Sequence, residues 1–209
     1  SEPYLTYIRA SASGELLQAE PITVPGATMI HDFNITRNHV ILMDLPAVWN
    51  FEGMATTGLP ILWDESYGAR LGVMPRNGTD ADVVWYEIDP CYVFHPLNAY
   101  EDDGKIVLDV CRMEDTMKPG SSAPPLMYRW VIDQAAGKVH ETQIDDRVVD
   151  FPRVCDSVVG LKHQYGYCAA FASGAPFGEG LVKYDMASGG SEYRHLDGGQ
   201  ASEAVFVKN

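Results

Sequence analysis

Two histidines stand where chemistry could be done. His31 ends the apolar run Ala27-Thr28-Met29-Ile30 and precedes Asp32-Phe33-Asn34-Ile35-Thr36. His95 lies in Cys91-Tyr92-Val93-Phe94-His95-Pro96-Leu97-Asn98-Ala99-Tyr100-Glu101. Each puts an imidazole at the edge of an apolar strand, where it can hold a metal or serve as a hydrogen-bonded core residue. Two carboxylates continue the series: 64 residues separate His31 from His95, 55 separate His95 from Asp150, and 53 separate Asp150 from Glu203. A metal-ligating imidazole needs a partner on its second nitrogen to fix its tautomer, so two histidines and two carboxylates that converge would suit a braced metal centre. From spacing alone, solvated strand ends are the slightly favoured reading of Asp150 and Glu203.

The elements that must position these groups read as short strands. The sequence predicts strands over Tyr4–Arg9, Leu16–Val24, Thr28–Phe33, His39–Leu45, Arg70–Met74, Asp82–Ile88, Cys91–His95, Lys105–Cys111, Leu126–Ile132, Lys138–Ile144, Val148–Val154, Gln164–Ala172, Leu181–Asp185, Ser191–Leu196 and Ala204–Val207, with almost nothing at helical period. Asn77-Gly78 reads as a two-residue hairpin turn, and Pro119–Pro125 as a surface loop. Between Pro46 and Tyr67 the aromatic and aliphatic residues show no period; such a long apolar loop suits the lining or covering of a site, or an irregular packing segment. About four strands per interval is the content of one blade of a β-propeller, in which residues repeated once per blade meet near a common axis. The expected fold is therefore all-β, with residues 1–209 forming about three to four blades of one propeller domain.

With 46% hydrophobic and 21% charged residues the composition is that of a globular protein. A formal charge of -14 argues against a nucleic-acid or anionic-membrane partner, since either would repel the chain. Cys91, Cys111, Cys155 and Cys168 are scattered, with no CxxC motif, and read as thiols of a reducing compartment, giving cytoplasm as the expected location. The chain opens straight into one strand and closes straight after another, so both ends are expected to be cuts in a longer protein.

Four motifs together resemble the carotenoid cleavage oxygenase family, its bacterial carotenoid and stilbene dioxygenase members in particular. They are His31-Asp32-Phe33 with Ile35-Thr36; Phe94-His95-Pro96-Leu97-Asn98-Ala99-Tyr100-Glu101; Asp150-Phe151-Pro152-Arg153-Val154 with His163-Gln164-Tyr165-Gly166-Tyr167; and Ser202-Glu203-Ala204-Val205-Phe206-Val207. The resemblance implies a seven-bladed propeller with axial Fe(II) held by four histidines, three of them braced by glutamates, that cleaves a conjugated alkene with O2 into two carbonyl products. By motif His31 and His95 match the second and third iron ligands, and Asp150 and Glu203 match the last two braces. Asp150 stands where the family has Glu, one methylene longer, so the backbone moves inward, a water bridges, or the ring is held less tightly. The first and fourth histidines have no counterpart here and would lie outside the chain.

The donor types agree with that chemistry, because neutral imidazoles bind ferrous iron and leave positions open for O2 and substrate. A two-histidine-one-carboxylate site using Asp32 or Glu101 is the competing metal reading. It is disfavoured because adjacent strand residues face opposite ways; Asp32 is expected to bond backbone locally and Glu101 to face water. His39, His140, His163 and His195 read as surface or structural. The expected substrate is a carotenoid or apocarotenoid, with Trp49–Trp63 offering a greasy lining; the alternatives are a stilbene, or a non-catalytic binding scaffold. Peripheral membrane contact for substrate uptake is assigned to sequence outside these residues, and the segment alone is expected to be inactive.

Overall fold

A computed structural model describes residues 2–121, 123–172 and 175–207; Ser122, within the Pro119–Pro125 stretch, lies outside them. Among these residues fifteen strands follow in chain order. β1 (Leu5–Ala10) and β2 (Leu16–Ile22) pair antiparallel. β3 (Asn34–Ile35) and β4 (His39–Asp44) begin a four-stranded sheet, which the chain leaves to make the small pair β5 (Ala47–Trp49) and β6 (Ile61–Trp63) around one helical turn, α1 (Met54–Thr57). It returns as β7 (Arg70–Pro75) and β8 (Val84–Glu87) to complete the order β3-β4-β7-β8.

β9 (Tyr92–Asp102), β10 (Lys105–Met113), β11 (Leu126–Asp133), β12 (Lys138–Arg153), β13 (Tyr165–Ala170), β14 (Gly180–Asp185) and β15 (Gly190–His195) each pair antiparallel with the next. β12 is shared: up to Val148, opposite Leu126, it pairs with β11, and from Val149, opposite Ala170, it pairs with β13. It thus closes one four-stranded blade and opens the next. Three blades result, with β1–β2 packed on the outside of the first.

Burial explains the sequence pattern. β4 and β10 are buried along nearly their whole length, because a middle strand is covered on both faces, and such strands read as largely apolar runs. The outermost β15 is exposed throughout. Three cores alternate with the sheets. Tyr7, Ile22, Val40, Leu42 and Met74 join β1–β2 to the first blade. Ile41, Met43, Leu71, Tyr92, Leu108 and Trp130 are among those joining the first blade to the second. Leu97, Met127, Val149, Val182 and Tyr184 help join the second to the third. Each large apolar side chain buried in this way contributes roughly 1.5–3 kcal/mol.

Several local expectations are corrected. Lys138–Ile144 and Val148–Val154 are one strand, since Arg147 and the hydroxyl of Tyr184 satisfy Asp145 and carry the ladder through the acidic interruption. Thr28–Phe33 is not a strand: Thr28 makes an isolated bridge to Val48, and pairing begins only at Asn34. Ala204–Val207 has no strand partner. Asn77-Gly78 does not form a two-residue hairpin, because Asp82 accepts the Thr79 N–H at 2.8 Å and winds Asp80–Asp82 into a 3-10 turn. The aperiodic stretch from Pro46 to Tyr67 holds β5, α1 and β6, elements too short to show a period. No described helix is long and apolar enough to cross a membrane. All four cysteines are free.

Glu101 does not face water as expected. Its carboxylate accepts from the Thr36 hydroxyl at 2.5 Å, the Asn38 N–H at 3.0 Å, Asn38 Nδ2 at 2.7 Å and His39 Nδ1 at 2.9 Å, locking the β3–β4 turn onto the next blade. Burial works against its charge, but the hydrogen bonds from Thr36, His39 and Asn38 outweigh it and pull the carboxyl to about 2. A carboxylate depressed on folding stabilises above its unfolded value, and that contribution is lost as pH falls through the folded one. The contribution is therefore complete above 4.5 and lost as pH falls through about 2. Glu101→Gln is expected to be less stable than wild type at neutral pH and to approach it as the pH falls across this window. Denaturant midpoints measured against pH check this; parallel acid limbs for the two proteins would overturn it.

Candidate metal centre

His31 lies in the irregular segment leading into β3, and His95 lies on β9, the first strand of the next blade. One blade of spacing brings their rings together, with centroids 4.9 Å apart and planes at 86°. His31 Nδ1 lies 3.0 Å from the backbone carbonyl of Phe94, and His95 Nδ1 lies 2.8 Å from Asp150 Oδ1. A carbonyl and a carboxylate only accept, so both rings carry their hydrogen on Nδ1 and each neutral ring keeps the lone pair of Nε2 uncommitted. That is the form in which imidazole binds a metal. The hydrogen bond to Asp150 raises the proton affinity of His95; burial opposes this, and the charges of Asp150, Glu203 and Asp32 add to it.

Asp150 opens the second half of β12, which holds it beside β9. It reaches His95 directly, at hydrogen-bond distance and with no room for a bridging water between them. The same Oδ1 also accepts the Phe151 N–H at 2.8 Å. The Phe94 ring meets His31 edge-on at 5.3 Å, while Phe151 packs at 5.0 Å from His95 and 6.0 Å from Phe171. These aromatic neighbours give the pair an apolar wall.

Glu203 braces neither ring. It is exposed, with Arg153 Nη1 at 4.0 Å from its carboxylate. Asp32 accepts its own neighbour's N–H, from Phe33 at 2.7 Å, as expected, although it lies in an irregular segment rather than on a strand. With Glu101 committed to the blade joint, the competing triad gains no support. Among the described residues no three His, Cys, Asp or Glu side chains form a metal-holding group. The chain therefore brings one pair of nitrogen donors to this place. His163 is buried, its Nδ1 accepting from Asn98 Nδ2 at 3.0 Å, which makes it structural. Two participants were missed from sequence: the Phe94 carbonyl, which no side-chain pattern reveals, and Phe151, whose backbone conformation leaves no mark in composition.

Successive blades that present tautomer-fixed imidazoles, one just before its first strand and one on it, define a propeller with a pair of nitrogen donors brought together. The family model for RPE65, described as retinal pigment epithelial membrane protein, matches residues 1–209. The chain is 33% identical over 258 aligned positions to a carotenoid cleavage oxygenase of Mycobacterium tuberculosis, covering 97% of this chain and 52% of that protein. It is 32% identical to a carotenoid 9,10(9',10')-cleavage dioxygenase of Crocus sativus, covering 98% of this chain and 42% of the relative. Among solved structures, cobalt-substituted Synechocystis ACO superposes with a TM-score of 0.84 at 26% identity, covering 97% of this chain and 46% of that one. The lignostilbene dioxygenase of Pseudomonas brassicacearum gives 0.80 at 26% identity, covering 92% and 45%. The chain belongs to the RPE65/carotenoid cleavage oxygenase family and forms part of its seven-bladed propeller. It spans about half the length of the curated relatives it matches.

Proposed function

We propose that the protein containing this chain is an Fe(II)-dependent oxygenase that cleaves a conjugated carbon-carbon double bond of a carotenoid or apocarotenoid with O2, giving two carbonyl products. The observation that carries this reading is the pair of imidazoles whose Nδ1 atoms are both engaged by acceptors, which leaves two neutral nitrogen donors 4.9 Å apart by ring centroid. Such a set suits ferrous iron and contains no thiolate or direct carboxylate. Bound iron would supply the redox-active centre that activates O2.

The chain's own residues do the preparing. His31 and His95 would hold the metal, the Phe94 carbonyl and Asp150 keep each ring in its binding tautomer, and Phe94 and Phe151 pack against the rings. Glu203 is assigned as the brace of a ring supplied from outside this chain. The exposed, stacked Trp49 and Phe51, with centroids 5.5 Å apart, lie at the end of β5 and just past it, and the Trp49 N–H donates to Ala27 O at 2.8 Å on the segment leading to His31. They offer apolar surface to a polyene. Carotenoid and apocarotenoid substrates are named for the relatives of Crocus sativus and Synechocystis, which favours that class.

The test is the complete protein, reconstituted with Fe(II) and given an apocarotenoid or a hydroxylated stilbene in air. Aldehyde products from the polyene are expected. Turnover of the stilbene alone would move the substrate to the stilbene class. Stoichiometric iron with neither product would overturn both substrate readings, and absence of bound iron would leave a binding scaffold.

A further inference from the structure

We propose that Phe151 is a positioning residue: its left-handed backbone, set in a bulge of β12, turns the Asp150 carboxylate onto His95. Three non-glycine residues among those described have positive φ, namely Asp103, Met117 and Phe151. Asp103 opens the Asp103-Gly104 turn, where such a conformation is ordinary, and Met117 lies in a loop. Phe151, with φ 53°, is inside a strand. A bulky side chain is strained there, and the following Pro152 narrows its choices further. Such strain persists only where the surroundings impose it.

The register shows what imposes it. Asp150 pairs with Ala169 and Arg153 with Tyr167, so Phe151 and Pro152 together stand opposite Cys168 alone. Such an insertion bends a strand and re-aims its side chains, and the left-handed position in it is commonly given to glycine. The Phe151 N–H lies 2.8 Å from Asp150 Oδ1, the same oxygen that accepts from His95 Nδ1 at 2.8 Å, and the bulge with its left-handed residue follows directly on this carboxylate. One residue therefore fixes the carboxylate through its amide and leans its ring on the imidazole, 5.0 Å away by centroid. A strand that only needed a bend could take glycine; phenylalanine adds the ring contact and bears the strain.

The inference rests on His95 being a metal ligand, and the experiment separates the two. Co(II) binding to the complete protein, followed by the visible ligand-field absorption, is compared for wild type, His95→Ala, Asp150→Ala, Phe151→Val and Phe151→Gly. Valine resists positive φ, so Phe151→Val is expected to weaken Co(II) binding about 10- to 100-fold and to change the absorption, as Asp150→Ala does. Glycine keeps the conformation without strain, so Phe151→Gly is expected to stay much nearer wild type in both. Thermal midpoints are recorded alongside. If Phe151→Val lowers the midpoint but leaves affinity and absorption unchanged while His95→Ala abolishes binding, the bulge is structural only and the inference fails alone. If His95→Ala binds as wild type, the ligand assignment fails and takes the inference with it. Should the valine variant not fold, Phe151→Asn and Phe151→Gly decide: both keep positive φ, and weak Co(II) binding by both, with wild-type midpoints, would show that the backbone is not the device.

Discussion

His95→Ala in the complete protein is expected to leave it without retained iron after desalting and without cleavage products, while its β-sheet content stays that of wild type. The imidazole is fixed by Asp150 at Nδ1 and packed by the tilted Phe151 ring, so its Nε2 is one of two pre-positioned nitrogen donors and its loss halves that set. The fold does not depend on the ring, because the inter-blade cores lie in the sheets behind it. Removing only the hydrogen-bond partner of a ligand costs about 10- to 100-fold in metal affinity or activity, and removing the ligand itself exceeds that. His31→Ala is expected to behave in the same way. The two lesions differ in what they leave behind: the Phe94 carbonyl freed by His31→Ala can turn to water, whereas Asp150 freed by His95→Ala keeps the Phe151 N–H. Iron at wild-type stoichiometry in either variant would remove that histidine from the site.

The strands were legible because each blade repeats one pattern, and the largely apolar segments at His39–Asp44 and Lys105–Met113 read as strands and prove to be middle strands, buried along nearly their whole length. The one-blade interval between His31 and His95 was legible for the same reason, and it brings the two rings edge to face. Backbone partners were not legible. The carbonyl that fixes His31 belongs to Phe94, and nothing about a phenylalanine side chain reports what its carbonyl does. Glu101 was misread because it stands just before the Asp103-Gly104 turn, which suggests solvent; the groups that bind it come from Thr36, Asn38 and His39 on the previous blade. The acidic Asp145-Asp146-Arg147 interrupts the apolar pattern of β12 and hid its continuity, although Asp145 is satisfied within the sheet. The charges inside the middle strands escaped notice as well. Asp44 faces Arg70 and Asp109 faces Arg129 at equivalent registers of two blades, 65 residues apart, so the offset that relates the histidines nearly finds them too.

Those paired charges carry the second large effect, on stability rather than chemistry. Asp109 is fully buried, and Arg129 grips both of its oxygens, Nε to Oδ1 at 2.7 Å and Nη2 to Oδ2 at 3.0 Å. The next charged or titratable group is His163, with Nε2 at 3.8 Å, beyond hydrogen-bond reach. Burial lowers the proton affinity of His163, so it does not offer a full compensating charge at neutral pH. Arg129→Ala would therefore strand a carboxylate in the sheet, and breaking a buried pair from one side costs about 3–5 kcal/mol. Arg70→Ala is the informative comparison. Asp44 is equally buried, but after loss of the Arg70 bond at 2.8 Å it keeps the Tyr67 hydroxyl at 2.7 Å. Its cost is expected to be clearly smaller. The double replacement Asp109→Leu with Arg129→Met removes both charges and is expected to recover most of the loss, because apolar substitution of a whole buried pair is often neutral or stabilising. Denaturant midpoints of the three variants of the complete protein provide the measurement. Arg129→Ala indistinguishable from Arg70→Ala, or a double variant no better than the single, would mean that Asp109 finds another partner or a proton, and that the blade does not depend on this pair.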